Sequence, residues 1–111
     1  MSKTNYSFSK QTMVALEHFS GLLSVARKNK SMTVVELSDK LGVSRTTATS
    51  MLKGSPTVNI GLYFEAARIL GVSLFDQEPS RLEVSKRKTQ QVESLLPKRV
   101  RVKKRELDND F

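Results

Sequence analysis

Arg45, Thr46, Thr47, Thr49 and Ser50 form the densest group of side chains able to do chemistry in this sequence. All are hydrogen-bonding groups. Short hydroxyls donate and accept, and the guanidinium fork of an arginine can bridge O6 and N7 of a guanine. Threonine and serine are only moderate helix formers, and a merely solvated helix surface favours Glu and Lys. A hydroxyl-rich helix therefore gives up propensity for contact, and the contact its chemistry suits is with bases and phosphates. Other chemistry finds no support. His18 stands alone in a chain without cysteine, so a zinc site has no ligand set. No acid-base pair, nucleophile motif or glycine-rich phosphate loop occurs, so neither catalytic residues nor metal or other cofactors are expected, and the chain does not read as an enzyme.

The elements that must position these side chains are legible around them. Leu16, Phe19, Leu23 and Ala26 recur at helical spacing, which predicts a first helix over residues 11–28 with one buried face. Thr33 precedes Glu36 by three residues, the capping-box arrangement, so a short helix is expected to run to Leu41. Gly42 suits a left-handed helix end, and Ser44 can cap a new helix after a tight turn. That third helix should extend from Arg45 to about Lys53 and stop at Gly54, with Ser55 and Pro56 in the loop beyond. Leu37, Leu41, Val43, Ala48 and Met51 are placed to pack the second and third helices together, leaving the hydroxyl-rich face outward. Asn59 can cap a fourth helix ending before Gly71, with Tyr63, Ala66, Ala67 and Leu70 on its inner face. Residues 73–76 read as a short strand or a further turn of helix. Either would expose Leu74 and Phe75 as an apolar pair, a candidate dimer contact or a satellite of the core. Pro79 and Ser80 suit a fifth helix that carries Leu82, Gln91, Val92 and Leu95 and is stopped by Pro97. Met13, Met32 and Met51 fall where core contacts are expected.

Composition sets the outer limits. The 111 residues suit a single modest domain, and helix packing must hold it without disulfides. The start of the chain lacks the apolar run of a signal peptide and no segment is long enough to span a membrane, so no membrane partner and a cytoplasmic location are expected. A net charge of +8 favours phosphate-rich or acidic partners. Residues 97–111 carry six basic and three acidic side chains. There Lys98, Arg99, Arg101, Lys103, Lys104 and Arg105 precede Glu106, Asp108 and Asp110, the polarity of a tail that meets DNA or a partner. Arg81, Lys86, Arg87 and Lys88 read as a charged helix surface. The fold class is all-α: a flexible N-terminus over residues 1–10, a compact helix-turn-helix domain over 11–76, a C-terminal helix over 77–96 available for dimer or partner contact, and the charged tail over 97–111.

The stretch TVVELSDKLGVSRTTATSMLKG resembles the helix-turn-helix of the Cro and lambda-repressor type, the XRE family, and the similarity extends over about residues 19–71. The family pattern reads roughly T-Q-x-x-L-A-x-x-L-G-V-S-x-x-x-I-S-x-x-E-x-G, matched here by Thr33, Leu37, Leu41, Gly42, Val43, Ser44 and Gly54. The resemblance implies a lambda-repressor-like fold that sets its second helix-turn-helix element in the major groove of double-stranded DNA. Arg45, Thr46 and Ser50 become candidate base contacts, and Thr33, Thr47, Thr49 and Lys53 candidate phosphate contacts. Two departures matter. Val34 replaces a usual phosphate-binding Gln, and Leu52 replaces a Glu that often pairs with an arginine of the first helix, leaving Arg27 free for phosphate or solvent. The C-terminal LLPKRVRVKKRELDNDF is similar to the tails of HipB-type antitoxins. That resemblance implies a homodimer on a palindromic operator, repression of its own operon and binding of a HipA-like kinase toxin. A free-standing phage-type or host repressor, and a partner-binding antitoxin with DNA binding secondary, remain as alternatives.

Overall fold

Steric and capping signals in the sequence become five helices in the computed structural model, which describes residues 7–100. They are α1 (Lys10–Asn29), α2 (Val34–Leu41), α3 (Arg45–Leu52), α4 (Ile60–Leu70) and α5 (Pro79–Ser94). Among the described residues the architecture is all-α, as expected. The described residues fall into two units, divided between Asp76 and Gln77. Arg101, Lys103, Lys104 and Arg105 of the charged tail, and the first six residues of the N-terminal segment, lie outside the described residues.

Each helix of the first unit starts on a side-chain oxygen that takes up an otherwise unpaired amide. Ser9 caps α1 by accepting from the Thr12 amide at 3.2 Å. At α2 both halves of the capping box form: Thr33 accepts from the Glu36 amide at 3.0 Å, and the Glu36 carboxylate accepts from the Thr33 amide at 2.8 Å. Asn59 caps α4 through the Gly61 amide at 2.6 Å. The helix ends are equally specified. Gly42 and Gly71 close α2 and α4 with φ of 73° and 79°, a region that costs a residue with a Cβ roughly 1–2 kcal/mol.

The inner faces converge on one core. Leu23 of α1, Leu37 of α2, Ala48 and Met51 of α3, and Tyr63, Ala66, Ala67 and Leu70 of α4 are buried. Leu16, Phe19, Ala26, Met32, Leu41 and Leu74 pack around them. The expected inner faces of α1 and α4 and the expected core roles of Met32 and Met51 are all found; Met13 is half-buried, and Val43 is half-buried in the turn between α2 and α3. His18 is a surface residue.

One segment departs from expectation. Residues 73–76 make neither an additional helical turn nor a strand but a tight turn in which Phe75 and Asp76 both adopt left-handed backbone, with φ of 55° and 56°. The apolar pair is consequently split. Leu74 packs against the core, and Phe75 alone is exposed, with its ring edge-on to Phe64 at 6.3 Å.

The second unit is a single helix and its exit. α5 begins with Pro79 in its first turn and has no buried side chain. Its polar contacts are local: Ser85 donates to the Gln77 side-chain oxygen, and Lys86 pairs with Glu83 at 3.6 Å. The helix ends at Ser94, two residues sooner than the sequence suggests, with Leu95 as its cap and Leu95 and Leu96 exposed.

Replacing Leu37, fully buried between α2 and the core, with Ala is expected to cost about 2–5 kcal/mol. Leu95→Ala should change stability by no more than about 0.5 kcal/mol, since nothing covers that side chain in its own unit. Urea unfolding of the two variants, compared through their midpoints at constant slope, checks both.

Candidate nucleic-acid interface

The short helix α3 carries the hydroxyl-rich group, and its two ends are fixed by different means. At its start, Ser44 accepts from the Thr47 amide at 3.1 Å and its hydroxyl donates to the Thr47 hydroxyl at 3.0 Å. Just before it, the Val43 amide reaches back to the Ser38 carbonyl at 3.0 Å, so the turn leaving α2 is closed by backbone bonds. Its end is held from α1. The buried Ser20 hydroxyl donates to the Met51 carbonyl at 2.6 Å, and Gly54, with φ of 85°, lies so close to α1 that an added Cβ would stand 3.1 Å from the Glu17 Cα. Beyond α3, the Tyr63 hydroxyl donates to the Ser55 carbonyl at 2.6 Å and pins the loop to α4. Burial pushes the Tyr63 phenol above its ordinary value, opposed by hydrogen bonding with Ser20.

With both ends held, about 100° of rotation per residue divides the α3 surface. Ala48 and Met51 point into the core and are essentially inaccessible. Arg45, Thr46, Thr49, Ser50 and Lys53 fall within an arc of about 140° on the other side. Arg45, Thr46 and Lys53 are exposed, and Thr49 and Ser50 are half-buried. Among the described residues Arg45 and Lys53 have no ion-pair partner. Thr47 lies outside this arc, half-buried, with its hydroxyl engaged at the cap. Thr33 is exposed at the start of α2, its hydroxyl oxygen already accepting from Glu36 while its proton remains available.

Residues 23–77 match the family model described as Helix-turn-helix. They form an all-α helix-turn-helix domain. Such a domain is the DNA-binding part of transcription regulators, and α2 and α3 are its paired helices. No curated protein and no solved structure matches the chain. No described helix is long and apolar enough to cross a membrane, and no group of three potential metal ligands comes together among the described residues.

The helix-turn-helix domain also corrects one expectation. Arg27 is not free for phosphate or solvent. Its Nη1 donates to the Met32 carbonyl at 2.7 Å, tying the end of α1 to the segment entering α2, and its Nε is buried without a partner. Leu52, where the family often has a glutamate, is packed half-buried against the core and offers no acceptor. Sequence reasoning also missed the groups that hold the domain's α3 in place, namely Ser20, Tyr63 and the Gly54 contact. Ser20 carries a readable signal, a small polar residue set between Leu16 and Leu23 on the apolar face of α1, where a buried hydroxyl needs a partner.

Two outcomes follow for the helix-turn-helix domain. Ser20→Ala removes one donor from the Met51 carbonyl, the Gly54 amide at 3.1 Å remaining, and is expected to lower stability by about 0.5–1.5 kcal/mol, measurable by thermal or urea unfolding. The raised Tyr63 phenol means that the folded state retains a proton which the unfolded state releases, beginning near pH 10.0. Its stabilising contribution is complete below that pH and is lost as the pH rises through the folded value. Tyr63→Phe, although less stable at neutral pH, should show a shallower decline in stability above pH 10, measured by urea titration at stepped pH.

Proposed function

We propose that the chain is a sequence-specific transcriptional repressor that binds a palindromic operator as a homodimer through the outward face of α3. The observation that carries this reading is that face itself: one guanidinium and several hydroxyls, clear of the core, on a helix clamped at both ends. Arg45, Thr46 and Ser50 contact bases, Arg45 by bridging guanine O6 and N7 from the first turn. Thr33, Thr49 and Lys53 contact phosphate and set the register of α3 along the groove. Thr47 joins them through a hydroxyl shared with the Ser44 cap. The two-fold dimer closes through Phe75, with Leu74 behind it, and through the exposed apolar residues of α5. A phenylalanine held in left-handed backbone and left 74% exposed is a costly arrangement for a surface with no partner. A dimer places the recognition helices about one turn of DNA apart, hence the palindrome.

A second function rests on the resemblance of the C-terminal residues to HipB-type antitoxins. In this reading the repressor also binds a HipA-like kinase toxin encoded beside it, with Lys98, Arg99 and the basic residues up to Arg105 serving as the DNA-tracking or toxin-binding tail. Both activities place the protein in the cytoplasm.

Arg45→Ala should weaken binding to the preferred duplex, selected from a random-sequence library, by about 1–3 kcal/mol and relax the preference at one base pair. An unchanged affinity by fluorescence anisotropy would remove α3 from the interface. Deleting residues 98–105 should reduce the salt slope of binding, about 0.9 log units per neutralised phosphate, if the tail tracks DNA. A nuclease-treated pull-down from the host tests the toxin: recovery of a kinase supports the antitoxin reading, and recovery of the chain alone supports a free-standing repressor.

A further inference from the structure

The helix α1 has two apolar faces, of which the core uses one. Leu16, Phe19, Leu23 and Ala26 turn inward. On the opposite side Val14 is 51% exposed, Leu22 43% and Val25 59%, with exposed His18 and Gly21 between them. Val14, His18, Gly21 and Val25 are spaced four, three and four residues apart, the alternation of a coiled-coil seam. Gly21 is the unexplained member. A glycine inside a helix costs about 1 kcal/mol relative to alanine, yet an added Cβ at Gly21 would meet nothing within 4 Å. Nothing in its own fold calls for a missing side chain.

We propose that this outer face of α1 is a self-association surface, on which the α1 of a second copy lies antiparallel and approaches closely over Gly21. The sequence is self-complementary in one antiparallel register. Val14 faces Val25 of the second copy, and His18 faces Gly21 of the second copy, so the bulkiest seam residue sits over the residue with no side chain. On one flank Ala15 meets Leu22 of the second copy; on the other, Glu17 meets Ser24 of the second copy. No like charges meet in this register. A charged tail or acidic partner would find no complement on such a neutral seam, which is why a second copy is the occupant.

The contact is smaller than the roughly 1,200 Å² buried by stable complexes, so it is weak between free molecules, with a dissociation constant of about 1 mM. It gains force where copies are held side by side and the effective concentration is high. If the repressor reading above is right, that place is adjacent sites on DNA, and the seam makes their occupation cooperative. Because it lies opposite the face that packs on α3 and α4, it leaves the recognition helix open.

The chain contains no cysteine, so disulfide trapping in the full chain tests the register directly. Val14→Cys mixed with Val25→Cys should form a covalent dimer at least about tenfold faster than either variant alone. Like positions lie about 16 Å apart in the antiparallel pair, beyond the reach of a disulfide. Gly21→Leu added to both variants should abolish the advantage while helix content and thermal stability stay the same or rise. Equal rates for mixed and single variants, or a mixed rate no greater than that of Val14→Cys with the exposed control Glu65→Cys, overturn the proposal. An advantage that survives Gly21→Leu overturns the close approach. The trapping uses no DNA, so an Arg45→Ala variant that keeps full duplex affinity while the mixed-pair advantage is intact fails the repressor reading alone, and loss of duplex binding by Arg45→Ala with no mixed-pair advantage fails the seam alone.

Discussion

The protein depends on how the end of one short helix is seated against another. An eight-residue helix such as α3 is far too short to be stable alone, and its direction in space is a property of what holds it. Here the buried Ser20 hydroxyl on the Met51 carbonyl and the backbone of Gly54 against Glu17 hold the C-terminal end. They convert the long, independently capped α1 into a base plate for α3. The alternative, an apolar contact alone, would allow sliding and rotation. A directed hydrogen bond in a dry site penalises both, because any shift leaves the buried Ser20 hydroxyl without its acceptor.

Other features of the first unit follow from that seat. Ala48 is small because α3 lies close to its neighbours, and Met51 fills the remaining irregular space below the carbonyl that Ser20 grips. Tyr63 needs both its ring and its hydroxyl, the first packing beside Phe19 and the second fixing the loop at Ser55. Arg27 secures the other side of the same frame by binding the Met32 carbonyl, where the chain turns from α1 toward α2. With its carboxylate partner of the family pattern replaced by Leu52, the arginine is retained as a backbone clamp and leaves one buried N–H unpaired.

Local signals made most of the fold legible. Thr33 with Glu36, Gly42 followed by Ser44, Gly54 before Pro56, and Asn59 before a run of apolar residues each specify a boundary through a short-range steric or hydrogen-bonding rule, and those boundaries are found within a residue or two. The identity of the outward residues on α3 was equally readable, because Ala48 and Met51 fix which side faces inward. Long-range placements were not readable. The partner of Ser20 lies 31 residues away, and no spacing rule announces it. The double left-handed turn at Phe75 and Asp76 was hidden for the opposite reason: a phenylalanine does not advertise positive φ, and one aspartate beside it signals only a single such residue, so composition pointed toward strand or helix. Thr47 reads as part of an outward face by residue type, but the Ser44 cap engages its hydroxyl and helical rotation carries it to the side.

The interleaving of residues along α3 has an evolutionary consequence. Ser44, Ala48 and Met51 belong to the fold, while Arg45, Thr46 and Thr49 between them do little for it. Changes at the second set leave the folding free energy nearly untouched, so a lineage can vary the outward chemistry of α3 in single steps without passing through unstable intermediates. The same separation makes the scaffold forgiving of duplication, because two copies can diverge in surface chemistry while sharing one interior.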